Sequence, residues 1–154
     1  MTSTIINQRA VRDFERARSK AFWRGLVSRL TRKCNDLLPF DQMRQSLWLK
    51  GQRYLGLQVV PLDKIVGSEG RYRDFDRAFL PRHAHTVARW ISIDKAHYEQ
   101  VLLPPVDLFK IGEIYFVQDG NHRISVARAR GQEFIDALVT EINQAGRIEL
   151  PEKC

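Results

Sequence analysis

The stretch Tyr115-Phe116-Val117-Gln118-Asp119-Gly120-Asn121-His122-Arg123 decides how the rest of the chain is read. Ile114 to Val117 is aromatic and β-branched and follows the Gly112 turn signal, so it is expected as a buried strand. Asp119-Gly120 breaks it, and Ile124, Val126, Ala127 and Ala129 then carry a short helix that ends before Gly131. In the order strand, polar turn, helix, the first amides of the helix lack intrahelical acceptors and point at an approaching anion. Gly120 admits a ligand close to the main chain, and Arg123 adds a cationic fork suited to phosphate. The competing reading has Arg123 paired with Asp119 or Asp76 and serving only to fix the turn.

Working outward, Val106 to Lys110 reads as the hairpin partner of this strand, with Lys110-Ile111-Gly112-Glu113 as the turn. A helix is expected from about Arg82 to Val101, with Val87, Trp90 and Ile91 facing inward. Leu57, Val59 and Val60 make a short strand that Pro61 stops, and Phe134 to Ile142 alternates well enough for a last one. Between these lies Gly67 to Asp76, a glycine-rich loop dense in charge, of the kind that often carries function. The fold class is α+β: a small mixed β-sheet with packed helices, the Gly120–Arg123 turn lying at its ligand face.

The chain has 154 residues, 44% hydrophobic and 28% charged, the composition of an ordinary folded domain. Its net charge of +7 is unevenly spread: residues 1–55 hold 12 Lys/Arg against 4 Asp/Glu, leaving 13 and 14 of the totals of 25 and 18 for the remainder. Val11, Phe14, Ala17, Ala21, Phe22, Leu26 and Leu30 follow helical spacing among arginines. A second helix, started by Asp41 and carrying Met43, Leu47 and Tyr54 with Trp48 alongside, would complete a basic helical hairpin. The organisation expected is a basic helical extension over 1–55, a domain over 56–142 and a tail over 143–154. The arginines are either solvated surface or, through Arg12, Arg16 and Arg24, a nucleic-acid contact.

No apolar run approaches the ~20 residues that span a bilayer, so no membrane partner is expected. The first ten residues lack a secretory layout, and a cytoplasmic setting is the simplest. Cys34 and Cys154 are too few for a disulfide framework or a zinc site. His83, His85 and His97 lack the spacing of a metal set, so no metal ligands are assigned.

Val60-Pro61-Leu62-Asp63-Lys64-Ile65, Pro105-Val106-Asp107-Leu108 and Asp119-Gly120-Asn121-His122-Arg123-Ile124-Ser125-Val126-Ala127 together resemble the ParB N-terminal/sulfiredoxin-like superfamily, which includes domains described as ParB-like nucleases. The resemblance covers about residues 57 to 142. It implies a nucleotide, CTP or ATP with Mg²⁺, whose phosphates sit on Gly120, Asn121, His122 and Arg123, with Arg71 and Arg73 on a second loop nearby. Hydrolysis, phosphotransfer or nuclease activity would be consistent with it, since fold similarity does not settle activity. Sulfiredoxin chemistry needs a cysteine in the turn, where this chain has Asn121, and is not expected. Asp119 is placed to cap the helix, to hold Mg²⁺ or to act as a base, and Glu69 is a second carboxylate for metal or nucleophile activation. His122 has the right pKa for proton transfer, although the helix dipole favours its neutral form. A homodimer is compatible with all of this.

Overall fold

The computed structural model describes residues 2–46 and 48–150, the side chains of 46 and 48–50 excepted. In chain order the elements are α1 (Thr2–Thr31), β1 (Leu38–Pro39), α2 (Phe40–Ser46), β2 (Trp48–Pro61), β3 (Ile65–Ser68), α3 (Val87–Tyr98), β4 (Val106–Ile111), β5 (Ile114–Asp119), α4 (Asn121–Ala129) and β6 (Phe134–Ala145). The strands form one six-stranded mixed sheet in the order β1-β3-β5-β4-β6-β2. Strand β5 pairs parallel with β3 and antiparallel with β4, and β6 lies parallel to β4 and antiparallel to β2. The α+β class is therefore as expected.

The centre of the sheet explains the apolar run at 115–117. Tyr115, Phe116 and Val117 are all buried, so both faces of β5 are covered. On one face Tyr115 and Val117 share a core with Leu108, Val139 and, from α4, Ile124 and Ala127. On the other Phe116 meets Leu38, Phe40, Met43 and Ile111 beneath α2. Gly67 of β3 is required for this arrangement, because a Cβ there would collide with the Leu38 carbonyl and the Phe116 ring.

A third cluster stacks the long helices outward from α4. Phe14, Ala17 and Ala21 of α1 pack with Trp90 and Ile93 of α3 and Val126 of α4. Trp90 is fully buried, its indole N–H donates to Ser125 Oγ at 2.9 Å, and Phe14 meets its ring edge-on at 5.6 Å. Asp76 hooks α1 to the sheet side. This carboxylate is fully buried, accepts from the amides of Ala78 at 2.9 Å and Leu80 at 3.0 Å, and takes Arg24 Nε at 3.1 Å.

The basic helical hairpin does not form. Helix α2 ends at Ser46, and the chain from Trp48 continues as a strand through Tyr54 to Pro61, so β2 crosses the expected boundary at residue 55 without a break. Tyr54, expected on a helical stripe, is a strand residue registered against Thr140 of β6. The reason is the β6 template: a long complementary strand outcompetes the weak helical spacing of 47–54. Bulges at Leu49/Gly51 and Tyr54/Gly56 twist this edge strand, which blunts it against further pairing. Leu47 lies outside the described residues, as do the packing of Trp48 and all of Cys154. In α1 the expected stripe also divides: Phe14, Ala17 and Ala21 are buried, whereas Phe22, Leu26 and Leu30 face solvent. Helix α3 is shorter than expected at both ends, with Ala84–Thr86 forming a separate 3₁₀ turn.

Asp76→Ala is expected to cost about 3 kcal/mol, because two buried amides and Arg24 lose their acceptor together. Urea unfolding checks this; a loss below about 1 kcal/mol would show that the 76–80 turn holds without its carboxylate.

Candidate functional site

Strand β5 delivers Asp119 to the rim of the sheet, and Gly120 turns the chain into α4. Gly120 is the N-cap with φ 111°, and no side chain caps the helix. Asp119 is therefore not the cap. Only glycine fits here, since φ is left-handed and a Cβ would stand 2.5 Å from Val106 Cγ1. Outside this turn lies a cleft of about 550 Å³, whose lining includes Gly70, Arg71, Arg89, Asp119 and His122. Its size falls within the range of small-ligand sites.

Side chains of the turn both line the cleft and hold the turn in place. Asn121 is buried; its Oδ1 accepts from Ser68 Oγ at 2.9 Å and its Nδ2 donates to the Gly70 carbonyl at 3.3 Å, which ties the loop after β3 to the start of α4. Asn121 thus positions the turn, and it also lines the cleft. Arg123 donates through Nη1 to the carbonyls of Pro104 at 2.7 Å and Pro105 at 2.8 Å, and through Nη2 to Asp119 at 2.6 Å. Its fork staples the 104–105 segment to the turn, and the side chain also lines the cleft.

Besides Arg123, the guanidiniums that line the cleft are those of Arg71 and Arg89. Arg71 sits 3.5 Å from Asp74, which also holds His85 Nε2 at 3.0 Å, so one carboxylate anchors both groups at the rim. Arg89, exposed on α3, has no ion-pair or hydrogen-bond partner among the described residues. The sequence reading missed Arg89. Its neighbour Trp90 marks the core face of the helix, and nothing in the local pattern links Arg89 to a turn thirty residues onward. Arg73 is elsewhere: it lies over the Tyr72 ring at 5.7 Å and lines a different hollow beside α1. Glu69 is exposed, donates its amide to Val117, and does not line the cleft.

His122 is half-buried against Phe75, edge-on at 5.3 Å. Burial, then the charges of Arg71 and Arg89, pull its pKa down from 6.5 to about 4. It is neutral at pH 7. Its Nε2 is buried without a partner. Asp119 is the one carboxylate lining the cleft, 70% exposed, with Oδ2 held by Arg123. No group of three or more potential metal ligands occurs among the described residues. On α1, Arg24 is committed to Asp76, whereas Arg12 is exposed and Arg16 is 83% exposed beside Asp13 at 4.0 Å.

No protein-family model matches the chain, and no curated protein matches it. Among solved structures it is similar to the crystal structure of sulfiredoxin from Arabidopsis thaliana, at 20% identity over 54% of this chain and 82% of that one, with a TM-score of 0.38. A likeness of that size carries nothing about ligand or chemistry. The site is read from its own geometry.

Two outcomes follow from these contacts. Arg123→Ala should destabilise the fold by about 1.5–3 kcal/mol, since charge-assisted bonds to two carbonyls and Asp119 are lost. Equilibrium unfolding measures it, and a neutral result would return Arg123 to the ligand. His122 binds fewer protons in the native chain than in the unfolded chain between pH 6.5 and about 4. Its contribution to stability is complete above pH 6.5 and is lost as pH falls through that window. The urea midpoint of wild type should therefore drop more steeply from pH 7 to pH 4.5 than that of His122→Gln; parallel profiles would contradict the assignment.

Proposed function

We propose that the protein binds a nucleotide through its phosphates, seated on the amino-terminal amides of α4 and faced by Arg71 and Arg89. One observation carries this reading: a nine-residue helix starts at a left-handed glycine with no side-chain cap, and its open end gives onto a cleft whose cation without a partner among the described residues is Arg89. Open amides and the helix dipole favour negative charge at that point. Two guanidiniums supply the mobile part of the clamp, whereas Arg123 keeps the floor rigid. The depressed pKa of His122 supports the same polarity, since Arg71 and Arg89 both contribute to it.

The chemistry beyond binding is limited by what lines the cleft. Asp119 is the carboxylate available to orient a water or to share a Mg²⁺ with phosphate oxygens. A lone carboxylate fits Mg²⁺ only in company with those oxygens and water, because Mg²⁺ seeks six oxygen ligands. With His122 neutral and Glu69 outside, the other imidazole at the cleft is His85, held at the rim by Asp74. The site reads as a phosphate holder first, with hydrolysis or phosphotransfer resting on Asp119.

A panel of ATP, CTP, GTP and UTP with Mg²⁺ tests this by thermal shift. Saturation near a hundredfold over Kd adds about 2.7 kcal/mol, which for a chain of this size raises Tm by roughly 5–10 °C. Arg71→Ala/Arg89→Ala should abolish the rise while leaving the unliganded Tm within about 2 °C, since both side chains are exposed. No shift with any nucleotide, or a shift that survives the double substitution, would end the proposal.

A further inference from the structure

Helix α1 has two apolar faces, and the nucleotide cleft involves neither. Ala10, Phe14, Ala17 and Ala21 recur at helical intervals and are buried. Phe22, Trp23, Leu26, Val27 and Leu30 form a second stripe, exposed by 67, 60, 39, 55 and 78%. At 100° per residue the centres of the two stripes lie about opposite one another on the helix. Packing the first on α3 therefore turns the second outward, and Arg24 bound to the buried Asp76 holds that rotation.

The surroundings of the outer stripe are cationic. From Arg16 to Asn35 the chain has seven Lys/Arg and no Asp or Glu. Phe22 and Leu26 also line a hollow of about 790 Å³ that opens beside α1 and collects Arg18, Arg29, Lys33 and Arg73. Among the described residues its one carboxylate, Asp36, is taken by Arg82 at 2.6 Å. Asn35, 8% exposed and on the same wall, has a buried Nδ2 without a partner. An apolar ridge thus borders a pocket of guanidinium and ammonium groups.

We propose that this face lies in the headgroup–acyl boundary of an anionic membrane. Acyl chains would take up Phe22, Trp23, Leu26, Val27 and Leu30, while lipid phosphates enter the hollow beside them; aromatic and leucine residues opposite Lys/Arg are the composition of helices that lie in that plane. Charge decides against a second copy of the chain, because pairing two such stripes brings their arginine margins together. The aliphatic share decides against a nucleic acid, which would satisfy the cations but leave Leu26, Val27 and Leu30 in water. No helix among the described residues is long and apolar enough to cross a membrane. Lying on a surface departs from the sequence expectation of no membrane partner, which rested on the lack of a spanning apolar run.

Co-sedimentation of the full chain with vesicles tests the proposal, using phosphatidylcholine alone and phosphatidylcholine with phosphatidylglycerol. The expected result is sedimentation with the anionic vesicles only, reduced about tenfold by Leu26→Ser/Leu30→Ser and again by Arg18→Gln/Arg29→Gln. All four side chains are exposed, so Tm should be unchanged and loss of binding is not loss of fold. Three outcomes overturn it: no sedimentation with anionic vesicles; sedimentation indifferent to the leucine pair; or a dimer in gel filtration that the leucine pair dissolves while vesicles are ignored. Tight, salt-sensitive binding of single-stranded DNA without vesicle binding overturns it equally. Failure of nucleotide binding leaves it untouched, since the cleft and this face share no residue.

Discussion

Strand β5 is covered on both faces, and the placement of nearly everything else follows from that. A strand with one wet face can end in many ways, because its outward residues are already solvated. With Phe116 buried under α2 and Tyr115 and Val117 under α4, the chain leaves the core only at the end of the strand. There it must turn within one residue to lay α4 back over the sheet. The left-handed φ of Gly120 makes that turn, and the closeness of Val106 leaves no room for a side chain. The open helix end is thus a by-product of core packing: the residue that could have capped it has no Cβ.

What surrounds the turn follows from how its polar atoms are satisfied. Asn121 and Ser68 bond each other and the Gly70 carbonyl, and Arg123 bonds two proline carbonyls and Asp119. These residues looked like ligand contacts because their chemistry suits a ligand. The same chemistry suits buried backbone carbonyls, which must also find donors. Within the structure three of the five guanidinium N–H groups of Arg123 go to these nearer acceptors, which fixes the side chain against the turn. The floor of the cleft is built by the turn, and its walls come from α3 and from the loop after β3.

That division marks what could be read from the sequence. The hairpin of β4 and β5, the turn at Gly120 and helix α4 are local, each carried by contiguous residues whose spacing has one interpretation. The second helix of the hairpin fails because Met43, Leu47 and Tyr54 have helical spacing, while the partner that overrules it, β6, lies some ninety residues away. Arg89 was missed for a related reason. It meets the turn only because Trp90, one residue on, docks α3 onto Ser125 of α4. Local periodicity can place a residue on a helix face; it does not say which loop that face meets.

Helix α1 shows the same limit in sharper form. Read as one list, its apolar residues merge into a single stripe, because 14, 17 and 21 run on into 22, 26 and 30 without a gap. Folding separates them by rotation. One apolar face of the helix is buried in the fold, whereas the second face of Phe, Trp, Val and two Leu stays largely in solvent. Keeping such a side chain in water forgoes about 1.5–3 kcal/mol that its burial would contribute. Singly exposed apolar residues are common on protein surfaces; five on one face of one helix, beside an acid-free cationic run, form a contiguous patch of the sort that marks contact with something else. The anchor that aims this face outward, Arg24 on Asp76, is a guanidinium taken out of the cationic set and joined to a fully buried carboxylate. Fixing the orientation of a surface in this way is what a docking face requires, and solvated decoration does not.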